Sequence, residues 1–511
     1  MGKRRRVESD DDYTEFSQDE IDGNYGSRVK NRKATVSKKM QPVAVSPSIA
    51  DYSDEHSRSQ HVISNADEVC DALLRWYSGV HMTRGMPWRK EYNPNLGREE
   101  RAQRAYEVLV SEFMLQQTQV VTVIPYYEAW VSRFPTIHVL AAATVDEVNA
   151  VWKGLGYYRR ASRLLAGSQK TVAKFSGLLP DNARDLEANI PGVGRYTAGA
   201  VCSIAYGERV PVLDGNVHRL LCRLLALHAP HKAVTTLNIL WAAATTLVQC
   251  ENHGNGQESD DSMVRNRYPG DINQALIELG STVCKVNAPS CGQCPLKSHC
   301  TAYQSELVPL QQDMEDICTL CEPRSKRGVT AYPMKAERKK PRVELDLVNV
   351  IEWRSKSDPE NRQFLLVRRP NEGLLAGLYE FPTEANISRT LSDTHLAEIP
   401  RTQLSALLQS PIRVPESPDE GQSDGSCSIV KTQPAGDVFH VFSHIRKTYR
   451  VQWVIIEGGN EPPETAVPQK PCHGRLKATM WKSLKEISTS NIGKCSSKIW
   501  DQVQTLWETA S

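Results

Sequence analysis

The chain has 511 residues, of which 40% are hydrophobic, and its formal net charge at pH 7 is +2. The length predicts about three units, and the nearly neutral charge excludes a global basic field, so any surface for nucleic acid must be local. We expect no membrane span and no secretory signal, because the sequence lacks long apolar runs. The cysteine clusters in an intracellular chain of this size predict metal sites rather than disulfides.

Residues 1–60 are polar and carry alternating charge blocks, which predicts a disordered tail. The basic run at 3–6 is either a nuclear localisation signal or part of an ordinary charged tail. The acidic run that follows it argues against an amphipathic mitochondrial presequence. We therefore expect the nucleus, with the mitochondrion as an alternative.

Residues 61–304 are predicted to be helical, and one helix carries a carboxylate on its apolar side. Glu112 follows Val108 by four residues and Leu109 by three, so the three side chains share a face. Burial raises the pKa of a carboxyl group, and a Glu that keeps its proton near neutrality can act as a general acid. A structural ion pair is the alternative for Glu112.

A glycine-containing turn lies between two further helical runs. Its residues are Pro191, Gly192, Val193 and Gly194. Such a turn allows positive φ and exposes backbone N–H groups to a phosphate, or it simply connects two helices. Asp214 lies just before another helix, where it is either a cap or a carboxylate placed for chemistry. Together the turn and Asp214 indicate a site that binds the nucleic-acid backbone and catalyses a reaction on the nucleic acid.

Four cysteines follow the predicted helix at 272–279. They are Cys284, Cys291, Cys294 and Cys300, with the spacing Cys-x6-Cys-x2-Cys-x5-Cys. Four thiolates this close in sequence predict a [4Fe–4S] cluster or a zinc site. The connector at 305–342 contains Cys318-x2-Cys321, which is half of a possible zinc site and needs further ligands.

Residues 343–511 change to a strand pattern. Apolar runs at 345–351, 364–367 and 437–456 predict strands, and a helix is predicted near 496–507. This pattern indicates an α+β domain.

Several motifs in order resemble one known family. These are VSEFMLQQTQVVTVIPYYEAW (110–130), GLGYYRRA (154–161), PGVGRYTAGA (191–200), VLDGNV (212–217) and the four cysteines. They resemble the iron–sulfur branch of the helix-hairpin-helix DNA glycosylases, and within it the adenine DNA glycosylases of the MutY type. The resemblance is strong over 63–305 and looser over 343–511. It implies an all-α helix-hairpin-helix glycosylase domain with a [4Fe–4S] cluster, followed by an α+β Nudix-like domain.

The resemblance also implies a substrate and the roles of individual residues. The substrate would be double-stranded DNA with adenine opposite 8-oxoguanine or guanine, and the adenine would be flipped out of the duplex. Glu112 would be the acid and Asp214 the stabiliser of the sugar cation. Tyr196 and Asn216 would hold the geometry of the pocket, and Arg89 and Gln274 would contact the flipped base. Gln117 and Tyr157 would probe the duplex near the opposite base. Phe442, Ser443 and His444 would recognise 8-oxoguanine.

Tyr196 separates this chain from relatives that also cleave the strand. In endonuclease III-like enzymes a lysine follows the hairpin arginine, whereas Tyr196 offers no amine for a Schiff base. We therefore predict a monofunctional glycosylase. The alternatives are a bifunctional glycosylase and lyase, a non-catalytic scaffold that binds lesions, and a Nudix hydrolase. The Nudix hydrolase signature is absent after Gly373, so the C-terminal domain is predicted to recognise DNA.

The resemblance extends to further ligands and partners. Relatives carry additional connector cysteines for zinc, whereas here Cys318 and Cys321 remain, with His61 as a possible third ligand. By resemblance, a checkpoint clamp would bind the connector and a sliding clamp would bind a C-terminal motif. Residues 502–507 fit that second motif poorly. We expect a monomer.

Overall fold

The computed structural model describes residues 58–251, 267–306, 318–335 apart from 325, 340–410 apart from 359 and 371–372, 412, 427–466 apart from 443, and 478–510. Three features predicted from the sequence lie outside the described residues: the tail with its basic run at 3–6, nearly all of the insertion at 251–267, and Ser443. Among the described residues, no helix combines the length and the apolar character required to cross a bilayer.

The described residues form two compact units. The first draws its residues from 1–143 and 163–337, and the second from 144–162 and 338–511. The short segment 144–162 therefore makes its contacts with residues that follow it by about two hundred positions along the chain. No periodicity in the sequence predicts this grouping.

The first unit is helical, which confirms the predicted all-α domain. Its helices and those of segment 144–162 are, in chain order, α1 (Ala66–Val80), α2 (Arg98–Leu115), α3 (Val120–Arg133), α4 (Ile137–Ala142), α5 (Val145–Trp152), α6 (Arg159–Phe175), α7 (Ala183–Asn189), α8 (Arg195–Val201), α9 (Gly215–Leu224), α10 (Val234–Val248), α11 (Pro269–Thr282) and α12 (Thr301–Gln304). Of these, α5 belongs to the second unit, and α6 begins in the second unit and continues in the first.

The core of the first unit forms around α2, α9 and α11. Val108, Leu109 and Phe113 of α2 are each at most 2% exposed, because the 3.6-residue period places them on one face. α9 and α11 approach closely at Gly280, where a Cβ atom would lie 2.7 Å from the carbonyl oxygen of Asn216. A side chain at position 280 would therefore push the start of α9 away, and Asp214 and Asn216 lie at that start.

The second unit is a seven-stranded sheet with helices on its faces, as the predicted α+β domain requires. Its strands are β1 (Arg342–Arg354), β2 (Arg362–Arg368), β3 (Tyr379–Glu380), β4 (Thr383–Glu384), β5 (Ser428–Val441), β6 (Ile445–Glu457) and β7 (Thr479–Ser483). The order is β3-β2-β1-β6-β5, with β4 pairing with β1 and β7 with β2. The β1–β6 pair is parallel, and the other strand pairs are antiparallel.

Helices cover both faces of this sheet. Leu404 of α13 (Asp393–Leu407) packs with Trp353 and Ile456 on one face. The opposite face is covered by α14 (Leu484–Thr489) and α15 (Lys494–Ala510), which bury Ile487 and Trp500 in the second core. Alternation of side chains along the strands explains why one strand supplies both cores.

Candidate active site

The predicted catalytic residues line one cavity of about 560 Å³ in the first unit. They come from four elements: α2, the start of α8, the start of α9, and α11. The predicted site residues on its wall are Arg89, Glu112, Gln117, Tyr196, Asp214, Asn216 and Gln274. Residues far apart in sequence therefore converge on a single volume that accommodates a nucleobase.

Glu112 is a buried acid whose proton is retained near neutrality. Its residue is 9% exposed, and burial together with the nearby Asp214 raises its pKa to about 7. A hydrogen bond with the Tyr196 side chain and the positive charge of Arg89 oppose this rise. At neutral pH about half of the molecules therefore hold a protonated Glu112, as a general acid requires.

Asp214 is the N-cap of α9 and faces the same cavity. Its Oδ1 accepts a hydrogen bond from the Val217 backbone N–H at 2.7 Å, and its Oδ2 accepts one from Asn216 Nδ2 at 2.8 Å. Burial raises the pKa of Asp214, while these two donors and Arg219 oppose the rise. One oxygen of Asp214 therefore caps the helix, and the residue also lines the cavity that Glu112 lines.

A chain of hydrogen bonds holds Asn216 in place. Arg219 donates to Asn216 Oδ1 at 3.0 Å, to the Gly280 carbonyl at 2.6 Å and to the Cys284 carbonyl at 2.9 Å. Arg219 is 3% exposed, so these bonds form in a protected interior. The sequence reasoning missed Arg219, although a basic residue on the apolar side of a predicted helix is a detectable signal.

Glu278 is a second residue that the sequence reasoning missed. Its buried carboxylate accepts from Arg89 at 2.7 Å and from Arg84 at 3.2 Å. Arg89 also donates to the His81 carbonyl at 3.1 Å, so its guanidinium is held from two sides on the cavity wall. Glu278 lies one helical turn after Gln274 on α11, and that spacing was available in the sequence.

The predicted hairpin joins α7 to α8, as the sequence indicated. Gly192 has a φ of +82°, and a Cβ atom there would lie 2.8 Å from Arg163 Cβ. Only glycine satisfies both conditions without strain. Gly194 is the N-cap of α8, and Tyr196 is on the first turn of that helix. The turn therefore determines where the Tyr196 hydroxyl lies relative to Glu112.

The residues predicted to probe the opposite base are distributed over both units. Gln117 lies in an exposed turn of the first unit with a left-handed φ of +52°. Tyr157, Phe442 and His444 belong to the second unit. Within that unit Tyr157 is 49% exposed, and the Phe442 ring lies 4.5 Å from the His440 ring.

The four cysteines after α11 line a second cavity together with Leu220 and Arg223. Arg223 donates to Cys284 Sγ at 3.3 Å, and Cys300 Sγ lies 3.5 Å from the Arg223 carbonyl oxygen. Within the described part of the chain, these sulfur atoms do not form a group of three or more within 4.8 Å. A single tetrahedral zinc, with Zn–S bonds of about 2.3 Å, requires closer sulfurs, so the arrangement fits a larger cluster.

His61, Cys318 and Cys321 form a separate group whose ligand atoms all lie within 4.8 Å of one another. His61 Nε2 is 3.3 Å from Cys318 Sγ and 3.4 Å from Cys321 Sγ. His61 Nδ1 lies 2.9 Å from the Leu225 carbonyl oxygen. The carbonyl can only accept, so the proton is on Nδ1 and Nε2 faces the two sulfur atoms, a common arrangement for metal-binding histidines.

A buried acid and an oriented carboxylate on one cavity large enough for a nucleobase, together with a hairpin between two helices, define a DNA base-excision glycosylase. The family model for the HhH-GPD superfamily base excision DNA repair protein matches residues 110–243, and a NUDIX domain model matches residues 358–502. The chain is 37% identical to the adenine DNA glycosylase of Homo sapiens over 86% of this chain and 76% of that protein.

Two other relatives agree with that comparison. The chain is 38% identical to the adenine DNA glycosylase of Mus musculus over 80% of this chain and 75% of that protein. It is 35% identical to that of Schizosaccharomyces pombe over 79% of this chain and 84% of that protein. The chain belongs to the adenine DNA glycosylase family. It is therefore a DNA repair enzyme that hydrolyses N-glycosyl bonds, and its resemblance to this family is confirmed.

Proposed function

We propose that the enzyme is a monofunctional glycosylase that excises adenine opposite 8-oxoguanine or guanine. The observation that carries this proposal is the shared cavity of Glu112 and Asp214, which brings a protonated acid and a carboxylate to one nucleobase-sized space. Adenine inside a duplex is out of reach of such a cavity, so it must first be flipped out of the stack.

The proposed mechanism follows from the positive charge that develops on the sugar as its bond to the base breaks. Glu112 gives a proton to adenine N7 while the bond between C1′ and N9 breaks and its electron pair stays on the base. The sugar becomes cationic, and it is stabilised by the carboxylate of Asp214, which its hydrogen bonds to Val217 and Asn216 hold in place. A water molecule then adds to C1′ and releases its proton. Tyr196 and Asn216 hold the two carboxyl groups in place through their hydrogen bonds.

Tyr196 supports the monofunctional part of the proposal. Strand cleavage by a lyase requires an amine that attacks C1′ and forms a Schiff base. Tyr196 occupies the position where lyase-type relatives carry lysine, and it is 6% exposed beside Glu112. The proposed product is therefore an abasic site in an uncut strand.

Single-turnover excision tests this function. Duplexes with adenine opposite 8-oxoguanine, guanine, thymine or cytosine are assayed with and without hot alkali. We expect the fastest release opposite 8-oxoguanine, slower release opposite guanine, and strand breaks only after alkali. Breaks without alkali would favour the bifunctional alternative, and binding without any release would favour the scaffold.

We further propose that Cys284, Cys291, Cys294 and Cys300 hold a [4Fe–4S] cluster. Their shared cavity and their spacing, which is too open for one zinc, support this assignment. Burial raises the pKa of Cys294 to about 11 and that of Cys300 to about 12, so cluster binding must displace protons from them. A bound cluster would supply a rigid support for the carbonyl groups that accept from Arg219 and Arg223.

We propose zinc for the group of His61, Cys318 and Cys321, since one imidazole and two thiols are ligands that zinc prefers. This site would join the segment that precedes α1 to the connector. We predict that His61→Ala lowers bound zinc from about one ion per chain to nearly none, while iron stays at about four per chain. Mass-spectrometric metal analysis of the purified protein measures both.

His138→Ala, which changes an exposed histidine of the same unit, serves as the control and keeps its zinc. Loss of iron and zinc together in His61→Ala would indicate general unfolding. Equal zinc in the two variants would contradict the site.

The C-terminal unit is proposed to recognise the opposite base through Phe442, Ser443 and His444, without hydrolysing nucleotides. Hydrolysis of 8-oxo-dGTP by the full chain with Glu112→Gln would contradict this role.

We also propose a nuclear location, with the mitochondrion as the alternative, and checkpoint and sliding clamps as partners of a monomer. Residues 502–507 lie within α15, where Val503 is fully buried and Leu506 and Trp507 pack on the core. A sliding clamp would therefore have to bind elsewhere or displace these residues.

A further inference from the structure

Segment 144–162 presents Tyr157 from a tightly constrained turn. Tyr157 has a left-handed φ of +46° and directly follows Gly156, whose φ is +79°, while Gly154, two positions earlier, has a φ of +99°. Three positive-φ residues within four positions leave the backbone few alternatives. The side chain of Tyr157 is nevertheless 49% exposed. The turn thus displays one aromatic ring at a defined position.

Side chains of the same segment stiffen this turn further. Trp152 Nε1 donates to the Gly156 carbonyl at 2.9 Å, and the Gly154 N–H donates to the Tyr158 hydroxyl at 3.0 Å. The buried Arg160 guanidinium lies 5.2 Å from the Trp152 ring and 5.4 Å from the Tyr157 ring. A displacement of α5 would therefore carry Tyr157 with it.

Lys153, the C-cap residue of α5, connects segment 144–162 to the end of α14 by two hydrogen bonds. Its Nζ donates to the Ser488 carbonyl at 3.1 Å and to the Ser490 carbonyl at 3.0 Å. Both carbonyls lie at the C-terminal end of α14, where the helix dipole is negative and attracts a cation. A second contact reinforces the first, since Asn491 Nδ2 donates to the Asp146 carbonyl at 3.2 Å.

The anchor point is continuous with the core of the second unit. Ile487 and Ile492, on either side of the accepting carbonyls, are 0% and 4% exposed. The Tyr379 N–H of β3 donates to the Asn491 carbonyl at 2.9 Å, which ties the anchor to the sheet. The same sheet contains β5 and β6, and the turn at 442–444 connects these two strands.

We propose that Lys153 is a positioning residue for discrimination of the opposite base. It hydrogen-bonds the segment that carries Tyr157 to α14, which packs on the sheet whose strands β5 and β6 flank Phe442 and His444. Recognition of 8-oxoguanine by Phe442 and His444 would then determine where Tyr157 enters the duplex. This inference rests on the proposed function of Tyr157 and of Phe442, Ser443 and His444. Lys153 is not among the residues that line the cavity of Glu112 and Asp214, and it acts through Tyr157.

The test compares Lys153→Met, Lys153→Arg and Lys485→Met in the full-length protein. Single-turnover rates are measured for adenine opposite 8-oxoguanine and opposite guanine, and their ratio is the readout. Lys153→Met is expected to lower this ratio at least about fivefold, the size of a lost charge-assisted hydrogen bond. Lys153→Arg should keep most of the ratio, because a guanidinium also donates to carbonyls. Lys485→Met, at an exposed lysine of α14, should match the parent.

A double-mutant cycle with Tyr157→Ala shows whether Lys153 acts through Tyr157. We expect Lys153→Met to change the ratio little once Tyr157 is absent. An unchanged ratio in Lys153→Met, or additive effects in the cycle, would overturn the inference. Equal losses in Lys153→Met and Lys153→Arg would also overturn it, since they would indicate a purely steric role. A parent enzyme that does not distinguish 8-oxoguanine from guanine would instead refute the proposed function, independently of Lys153.

Discussion

Asp214→Asn is expected to slow adenine release by a factor of about 10³ or more while the protein still binds its substrate duplex. The variant keeps the size of the side chain and an oxygen that can cap α9, but it removes the negative charge that faces the sugar cation. Loss of one preorganised electrostatic contact costs about 10²–10³ in rate, and a full charge exceeds that. Single-turnover excision opposite 8-oxoguanine measures the rate, and titration of a labelled duplex measures binding.

Binding separates chemistry from folding in this experiment. Because DNA is a polyanion, removal of a carboxylate beside it should leave the affinity for the duplex unchanged or slightly higher. Asp181→Asn, which changes an exposed carboxylate outside the cavity, should retain the parent rate and affinity. If Asp214→Asn released adenine at the parent rate, the proposed role of Asp214 would be wrong. Weaker binding in parallel with slower release would indicate a damaged fold instead.

Glu112→Gln should lower the excision rate by about 10²–10⁴, the range for loss of a general acid. The parent enzyme should also lose activity as the pH rises through about 7, the pKa of Glu112, by about tenfold per pH unit above it. Glu112→Gln has no proton to lose, so its residual rate should lack this decline. The measurement is the single-turnover rate between pH 5.5 and 9.

Stability gives an independent readout of the same pKa. Because the folded pKa of Glu112 lies above its ordinary value of 4.5, the folded state binds the proton more tightly than the unfolded state. The stability that protonated Glu112 contributes is fully present below about pH 4.5 and is lost as the pH rises through about 7. Glu112→Gln should therefore gain apparent midpoint temperature over the parent at pH 8.5 and not at pH 4.5.

Glu99→Gln changes an exposed carboxylate on the same helix and should show neither the loss of rate nor the gain in stability. A parent rate that stays constant from pH 6 to pH 9 would contradict the assignment of Glu112 as the acid.

The residues that could be located from the sequence share one property, which is that a local pattern determines their environment. Glu112 lies on the buried side of α2 because its spacing from Val108 and Leu109 is helical. Asp214 caps α9 because it directly precedes a periodic apolar run. Gly192 forms the hairpin because its left-handed φ suits a residue without Cβ.

Glu278, which was missed, and His61, which was only a possible ligand, have their partners far away in the chain. Glu278 is on an ordinary apolar helix, and its meaning depends on Arg89, which lies 189 positions earlier. His61 was only a possible ligand until the fold brought it to Cys318, 257 positions later. Periodic sequence patterns relate only residues that are close in the chain. The distances from Glu278 to Arg89 and from His61 to Cys318 are set by tertiary packing alone.

By itself the sequence determined the two fold classes, the hairpin, the positions of Glu112 on a buried helix face and of Asp214 at a helix start, and the grouping of the four cysteines, because helical periodicity, turn chemistry and ligand spacing are all local. Tertiary structure alone decided which of these residues share a cavity and that burial raises the pKa of Glu112. It also placed the four cysteines around one further cavity. It also decided that Tyr157 belongs with the C-terminal unit. Burial and distance set each of these properties, and both arise only when remote segments pack together.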